Sequence, residues 1–331
     1  MNDPNQFQPP PPPPAKPAQA ARPAKLFGAG ISIFVLGVVL LLAGIVKILP
    51  GGVGTGIAFA FWGLVLFVKS FIRLPLVTDK DEPAMSGLQK LTSIFYEPSR
   101  VFKNLRVHPN WLAAFLVIVA ANAIYNAAFV HRLTAERIVD YTFEKMESSP
   151  IKPPPDQMAT AKEQALQANK QPVHLVQTAA KTFVSAFVLV AFIALLCFLG
   201  VLVFGGNINY WQSFAAVMYS YLPVAVIQKL VSLIILYVKA PEDVHPILGA
   251  QTLLQDNLGV LFLPAEHPAL YVLGSAIGVL SLYGLWLKAK GLANAGTKVS
   301  SGAAWGVSIT LWVLGLGLGM ILAVMFSGFM S

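Results

Sequence analysis

Seven stretches of this chain, at 26–46, 53–72, 111–130, 182–204, 214–237, 269–287 and 303–327, are apolar over enough residues to cross a membrane. At a rise of 1.5 Å per residue, about 20 apolar residues span the roughly 30 Å of hydrocarbon. With these boundaries, all 15 acidic residues fall outside the stretches. A chain so patterned has no single water-soluble core to fold around, and the pattern predicts an all-α, polytopic integral membrane protein with seven transmembrane helices. The charge supply agrees: 11% of the 331 residues are charged and 56% hydrophobic, whereas soluble domains carry about 25% charged residues. An ordinary soluble enzyme, a nucleic-acid-binding module and a disordered scaffold are thereby excluded.

The stretches divide the chain. Residues 1–25 hold six consecutive prolines, Pro9 to Pro14, which favour polyproline II and read as a disordered cytoplasmic tail. Residues 26–72 read as a transmembrane hairpin turning at Leu49-Pro50-Gly51-Gly52. Its first stretch is longer than a signal-peptide core and has no small-residue cleavage site after it. Residues 73–110 form a cytoplasmic basic segment. There Leu88, Leu91, Ile94 and Phe95, then Val101, Phe102 and Leu105, recur at helical spacing among Lys90, Arg100, Lys103 and Arg106. Two amphipathic helices on the anionic membrane surface are expected. Residues 111–331 hold five spans and an outer loop at 131–181, which reads as helices near 133–147 and 157–169 separated by Pro150 and Pro153-Pro154-Pro155.

The net charge of +8 reflects Lys and Arg flanking the apolar runs, as the positive-inside rule requires, rather than a nucleic-acid surface. Short basic segments at Lys16–Lys25, Arg73–Arg106 and Lys288–Lys298 place the N-terminus inside and the C-terminus outside.

The order of motifs resembles a known family. Glu97-Pro98-Ser99-Arg100-Val101-Phe102 leads to Val107-His108-Pro109-Asn110-Trp111 at the mouth of a span. Gly205-Gly206-Asn207 and Tyr210-Trp211-Gln212-Ser213-Phe214 precede Tyr219-Ser220-Tyr221-Leu222-Pro223. Trp286 and Lys288-Ala289-Lys290-Gly291-Leu292 introduce the last span. This is similar to the bacterial branch of the Ypt-interacting-protein (Yip) domain family over roughly residues 86–327. The resemblance implies a five-helix membrane bundle after the hairpin, in a bacterial cytoplasmic membrane. Eukaryotic relatives contact Rab-type GTPases, but their Asp-Leu-Tyr-Gly-Pro signature is not found here.

Enzyme chemistry finds little support. The single cysteine, Cys197, rules out a multi-thiolate metal site. His108, His131, His174, His245 and His267 are scattered, without the His-Glu-x-x-His spacing of a metalloprotease. The glycine-rich Gly51–Gly56 lacks the Gly-Lys-Ser/Thr end of a phosphate loop. Asp79-Lys80-Asp81-Glu82 reads as a solvated linker. No catalytic, cofactor or metal residue is assigned, and no cofactor is expected. Glycines at Gly30, Gly37 and Gly44, and Gly274-x-x-x-Gly278, Gly302-x-x-x-Gly306 and Gly315-x-x-x-Gly319, read as helix-packing positions.

The polar residues inside the spans are the candidate site. Asn122 and Asn126 share one face of the third span, with Tyr125 beside them; Tyr219, Tyr221, Pro223, Gln228 and Lys229 make the fifth span the most polar. These two faces are expected to meet as a polar seam, with Lys229 as an anionic-ligand or lipid contact, or snorkelling toward an interface. The expected function is non-enzymatic, that of a membrane-organising or adaptor protein, with a transporter or channel subunit using a polar path between spans three and five as the alternative. Membrane lipids are the expected partners and other membrane proteins a further class; nucleic acid is not.

Overall fold

The computed structural model describes residues 24–45, 52–71, 83–147, 154–170, 172–264 and 266–325. The polyproline run, the turn at 49–51, the 79–82 acidic linker, Pro150 and Pro153 lie outside the described residues. Among the described residues every named element is helical, with one isolated β-bridge.

Helices α1 (Ala24–Ile45) and α2 (Gly52–Phe71) form an antiparallel hairpin. Its closeness requires glycine. A Cβ on Gly37 would lie 2.1 Å from the Ala60 backbone nitrogen, and one on Gly63 2.1 Å from that of Phe34. Backbone atoms cannot yield that distance, so at each contact one helix presents a glycine to the backbone of the other.

Four helices are individually long and apolar enough to span a membrane: α5 (Leu112–Leu133), the Phe183–Val203 part of α8 (Pro172–Val203), α9 (Tyr210–Val238) and α13 (Ser301–Met325). The central helix is α9, packed against α5, α8 and α12 (Val279–Ala295). Its start is fixed by a capping box that the Asn209-x-x-Gln212 spacing encodes. Asn209 Oδ1 accepts from Gln212 N at 2.9 Å, and Gln212 Oε1 accepts from Asn209 N at 2.9 Å. Around α9, Trp111, Phe115, Phe187 and Phe214 pack into one aromatic core. Trp62 of the hairpin enters this core, 4.3 Å from Phe183 and 4.6 Å from Phe187 between ring centroids.

The sixth expected span, 269–287, is not one continuous helix. It breaks into α11 (Pro268–Ala276) and α12, with Gly278 extended at φ −139° and ψ 162°. At the break a returning segment, 256–258, supplies the backbone partners. Leu258 N donates to Ile277 O at 3.1 Å, and Val279 N to Asp256 O at 3.3 Å. The Asp256 carboxylate accepts from Leu280 N at 2.7 Å, capping α12. Gly274 and Gly278 therefore seat this segment rather than another helix, because a Cβ on Gly274 would lie 2.7 Å from Gly259 N. Asp256 lies outside the apolar stretches in sequence, yet its side chain bonds within one of them.

The basic segment also differs from expectation. Helices α3 (Gly87–Ser93) and α4 (Pro98–Val107) form as predicted, but α4 packs against α9 and α12. Its apolar Val101, Phe102 and Leu105 are buried by protein rather than turned into lipid, while Leu88, Phe95 and Tyr96 stay exposed. The other polar loop holds α6 (Ala135–Glu147) and α7 (Pro155–Lys170), joined by a 2.8 Å Lys162–Asp140 ion pair.

Two polar layers close the bundle at opposite ends. At the α4 end, Arg106 donates from Nε and Nη2 to Asn294 O at 3.1 and 3.0 Å, and Gln212 Nε2 donates to Arg106 O at 2.7 Å. Lys90 Nζ donates to His108 O at 2.9 Å, and burial lowers this ammonium to about 8. At the α6 end, Arg137 grips Pro241 O and Glu242 O at 2.6 and 3.2 Å, and the Tyr141 hydroxyl pairs with His245 Nε2 at 3.1 Å.

Candidate functional site

A helix with polar groups four apart presents them on one face only when both point the same way, and α5 divides its polar groups between two sides. Asn122 and Asn126 line a cavity of about 960 Å³. Tyr125, one position before Asn126, turns into the protein and is fully buried.

The cavity is bounded by five helices. From α5 come Ile118, Val119, Ala123 and Ala127 with the two asparagines; from α8, Leu189, Val190 and Ile193. From α9 it takes Val217, Ser220, Tyr221 and Val224; from α12, Leu280, Ser281, Gly284, Leu285 and Lys288; from α13, Trp312. Asn126 and Tyr221 are exposed, so the cavity opens to the molecular surface. Its volume lies at the upper end of the roughly 300–1,000 Å³ of ligand pockets. Among the described residues the wall carries one ammonium and one imidazole, Lys288 and His131, and no carboxylate. Asn122 donates from Nδ2 to Ile118 O at 2.9 Å and Ser220 from Oγ to Val217 O at 2.8 Å, so each keeps acceptor capacity.

The residues of the expected seam between the third and fifth spans are divided: Asn122, Asn126 and Tyr221 line the cavity, and others lie apart from it. Tyr125 and Lys229 meet on the side away from the cavity wall, with Lys229 Nζ 4.6 Å from the Tyr125 ring centroid. Both then reach the chain that follows α9: Tyr125 donates to Gly249 O at 2.5 Å, and Lys229 donates to Gln251 O. Ser232 adds to this clasp, accepting from Leu253 N at 3.1 Å and Leu254 N at 3.2 Å. Lys229 neither lines the cavity nor snorkels freely; its ammonium is held inside the protein. Tyr219 is fully buried in the aromatic core, and its hydroxyl has no hydrogen-bond partner among the described residues. Pro223 is buried within α9, and Gln228 is half-buried; neither lines the cavity.

Sequence reasoning missed Lys288, because it placed the end of the sixth span at Leu287, and passed over Ser281 and Gly284 within that span as ordinary small residues. Helix α12 runs on to Ala295, so Lys288 lies within it. The signal available was the spacing itself: Ser281, Gly284, Leu285 and Lys288 recur at one helical face.

Outside the cavity, His245 is held by its ring. Its Nδ1 accepts from Ile247 N and Leu248 N, both at 3.1 Å. Burial, and then the Lys145 ammonium, hold this imidazole below its ordinary range. The described residues contain no group of three or more His, Cys, Asp or Glu able to hold a metal ion.

No curated protein and no solved structure matches the chain. Residues 92–323 match the Yip1 domain, a span that takes in α4 through most of α13 and every wall of the cavity, and leaves the α1–α2 hairpin outside. With its apolar helices and this match over well more than half its length, the chain is a membrane protein that belongs to the Yip1 domain family.

Proposed function

We propose that this protein is a non-enzymatic membrane-organising protein that holds one amphipathic lipid-like molecule in the cavity between α5, α8, α9, α12 and α13. One observation carries the reading: the cavity is large, open and walled mostly by aliphatic side chains, with isolated polar groups rather than a catalytic cluster. Such a lining suits an acyl chain, and hydrocarbon at this position is the solvent that the exposed faces of α8 and α13 require. The reading includes seven membrane crossings, the sixth made by the α11–α12 pair, in a bacterial cytoplasmic membrane with the N-terminus inside. Its partners are membrane lipids, with other membrane proteins recruited through the exposed surface.

Purification from native membranes in mild detergent, with lipids and proteins both quantified, tests it. The full chain is expected to retain lipid in near-stoichiometric amount, and Ala123→Trp, which fills the cavity from the α5 wall, to release it. Equal lipid on both proteins would overturn the reading.

A second reading is supported by the α11–α12 break. Discontinuous helices whose half-helix ends meet a cavity are a feature of transporters, and Leu280 and Ser281 of the first turn of α12 line this one. A carrier would expose Ser281→Cys alternately to the two sides of sealed vesicles. A lipid-holding protein would expose it to one side alone.

A further inference from the structure

The geometry points to an anionic lipid as the occupant of the cavity, with the ammonium of Lys288 bound to its phosphodiester headgroup. This inference rests on the reading of the cavity as an amphiphile site and names the class of amphiphile.

Lys288 is the one ammonium in the cavity wall. It is half-buried, and no hydrogen bond or ion pair engages it among the described residues, whose ion pairs are Arg100–Glu97 and Lys162–Asp140. Lys229 shows what an internally satisfied ammonium looks like: it has a carbonyl and an aromatic face. Lys288 has neither. A half-buried cation facing hydrocarbon without a partner is costly, and among the described residues the cavity wall holds no carboxylate to pair with it.

Snorkelling does not account for its position. Helix α12 continues seven residues past Lys288, about 10 Å, before it ends at Ala295. Its flanking residues Leu287 and Ala289 are buried in the bundle. Lys290, two positions on, behaves as a surface lysine: it is exposed and lies 5.9 Å over the Trp286 ring. Lys288 instead faces the cavity with Ser281, Gly284 and Leu285.

The position also suits a headgroup. Lys288 is near the α4 end, two turns before Asn294, whose carbonyl Arg106 holds. His131 lies at the opposite end of the cavity, at the end of α5. Between them the α5 wall from Ile118 to His131 rises about 20 Å, somewhat more than one leaflet's share, about 15 Å, of the hydrocarbon core. The α4 end carries Lys103 and Arg106, with Arg100 paired to Glu97, so an anionic headgroup there meets a net positive field as well as one ammonium.

The test uses the full-length protein in mild detergent, offered phosphatidylglycerol and phosphatidylcholine with matched acyl chains in equal amount, with bound lipid counted by native mass spectrometry. The unmodified protein is expected to prefer phosphatidylglycerol about tenfold, the size of one charge-assisted hydrogen bond. Lys288→Gln is expected to abolish the preference while keeping total lipid, and Lys288→Arg to preserve it. Absence of preference in the unmodified protein overturns the inference without any variant, as does an unchanged preference in Lys288→Gln; in both cases lipid lost from Ala123→Trp would leave the cavity reading standing. Lipid retained equally by Ala123→Trp would instead remove the reading beneath it. Displacement of bound lipid by millimolar inorganic phosphate would reassign Lys288 to a soluble anion and overturn the lipid assignment.

Discussion

The Lys229 ammonium sits 4.6 Å from the centre of the Tyr125 ring, and the two side chains bind carbonyls two residues apart, at Gln251 and Gly249. One helix pair thus fixes the start of the segment that later returns to the α11–α12 break. Tyr125→Phe is expected to cost about 1 kcal/mol of stability, and Lys229→Met about 1.5–3 kcal/mol, since its bond is charge-assisted. Because both grip the same segment, the double variant should lose less than the sum, with a coupling of about 0.5–2 kcal/mol. Thermal unfolding of the four proteins in one detergent measures the cycle. Strict additivity would mean that the two contacts act separately.

The hairpin is expected to be part of the folded unit. Trp62→Ala removes an indole from the aromatic core and should cost about 3–5 kcal/mol. Gly37→Val should part α1 from α2, whereas Gly315→Val, where an added Cβ meets nothing within 4 Å, should change stability by less than about 0.5 kcal/mol. A chain truncated to begin at Ser86 would expose Phe115, Phe183 and Phe187 where Trp62 covered them. It is expected to aggregate in detergent while the full chain stays monodisperse, as size-exclusion chromatography would show. The family match leaves the hairpin out, yet its Trp62 packs in the core of the matched region.

Acid should loosen the His245 turn. Its folded-state pKa is held below the ordinary 6.5 by burial and then by Lys145, so the unfolded segment binds the proton first. The stabilisation is complete above about pH 6.5 and is lost as pH falls below that value toward the folded-state pKa. Protonation also removes the Nδ1 lone pair that Ile247 N and Leu248 N share. Hydrogen exchange at these two amides, corrected for the intrinsic rate, should accelerate as pH falls below about 6.5 and not above it. In His245→Asn, which keeps a side-chain acceptor without a titrating group, the corrected rates should not depend on pH.

The two polar layers give a topology test independent of Lys and Arg counts. Arg106 with Asn294, and Asn207 with Thr297, lie at one end, while Arg137 with Pro241 lies at the other. Reporters inserted at Gly87 and at Lys298 are expected to be active on the same side, the cytoplasmic one, and a reporter within 154–170 on the opposite side. A reporter after Ser331 should be active outside. Activity of the Gly87 and Lys298 reporters on different sides would break the assigned ends.

Much of the architecture was legible because local rules suffice for it. The apolar lengths of α5, α8, α9 and α13, the paired helices α6 and α7, and the glycines of the α1–α2 contact each follow from residues close together in the chain. The polar character of α5 and α9 also pointed to two of the helices that line the cavity. Composition could not say how one helix distributes its polar groups around its axis. Asn122 and Asn126 went to the cavity and Tyr125 to the clasp, because neighbouring helices, not spacing, decide which arc faces protein and which faces lipid.

The sequence alone determined a helical membrane protein and the family pattern later matched over 92–323. Those properties depend on hydrophobic length and on motifs that are read locally. Tertiary structure decided the break at Gly278, the return of Asp256 and Asn257 to it, the burial of α4 beneath the bundle, and the placing of Lys288 rather than Lys229 in the cavity. Each depends on a partner more than twenty residues away. A broken helix in hydrocarbon is tolerated only when some other segment supplies its missing hydrogen bonds, and which segment does so is settled by packing.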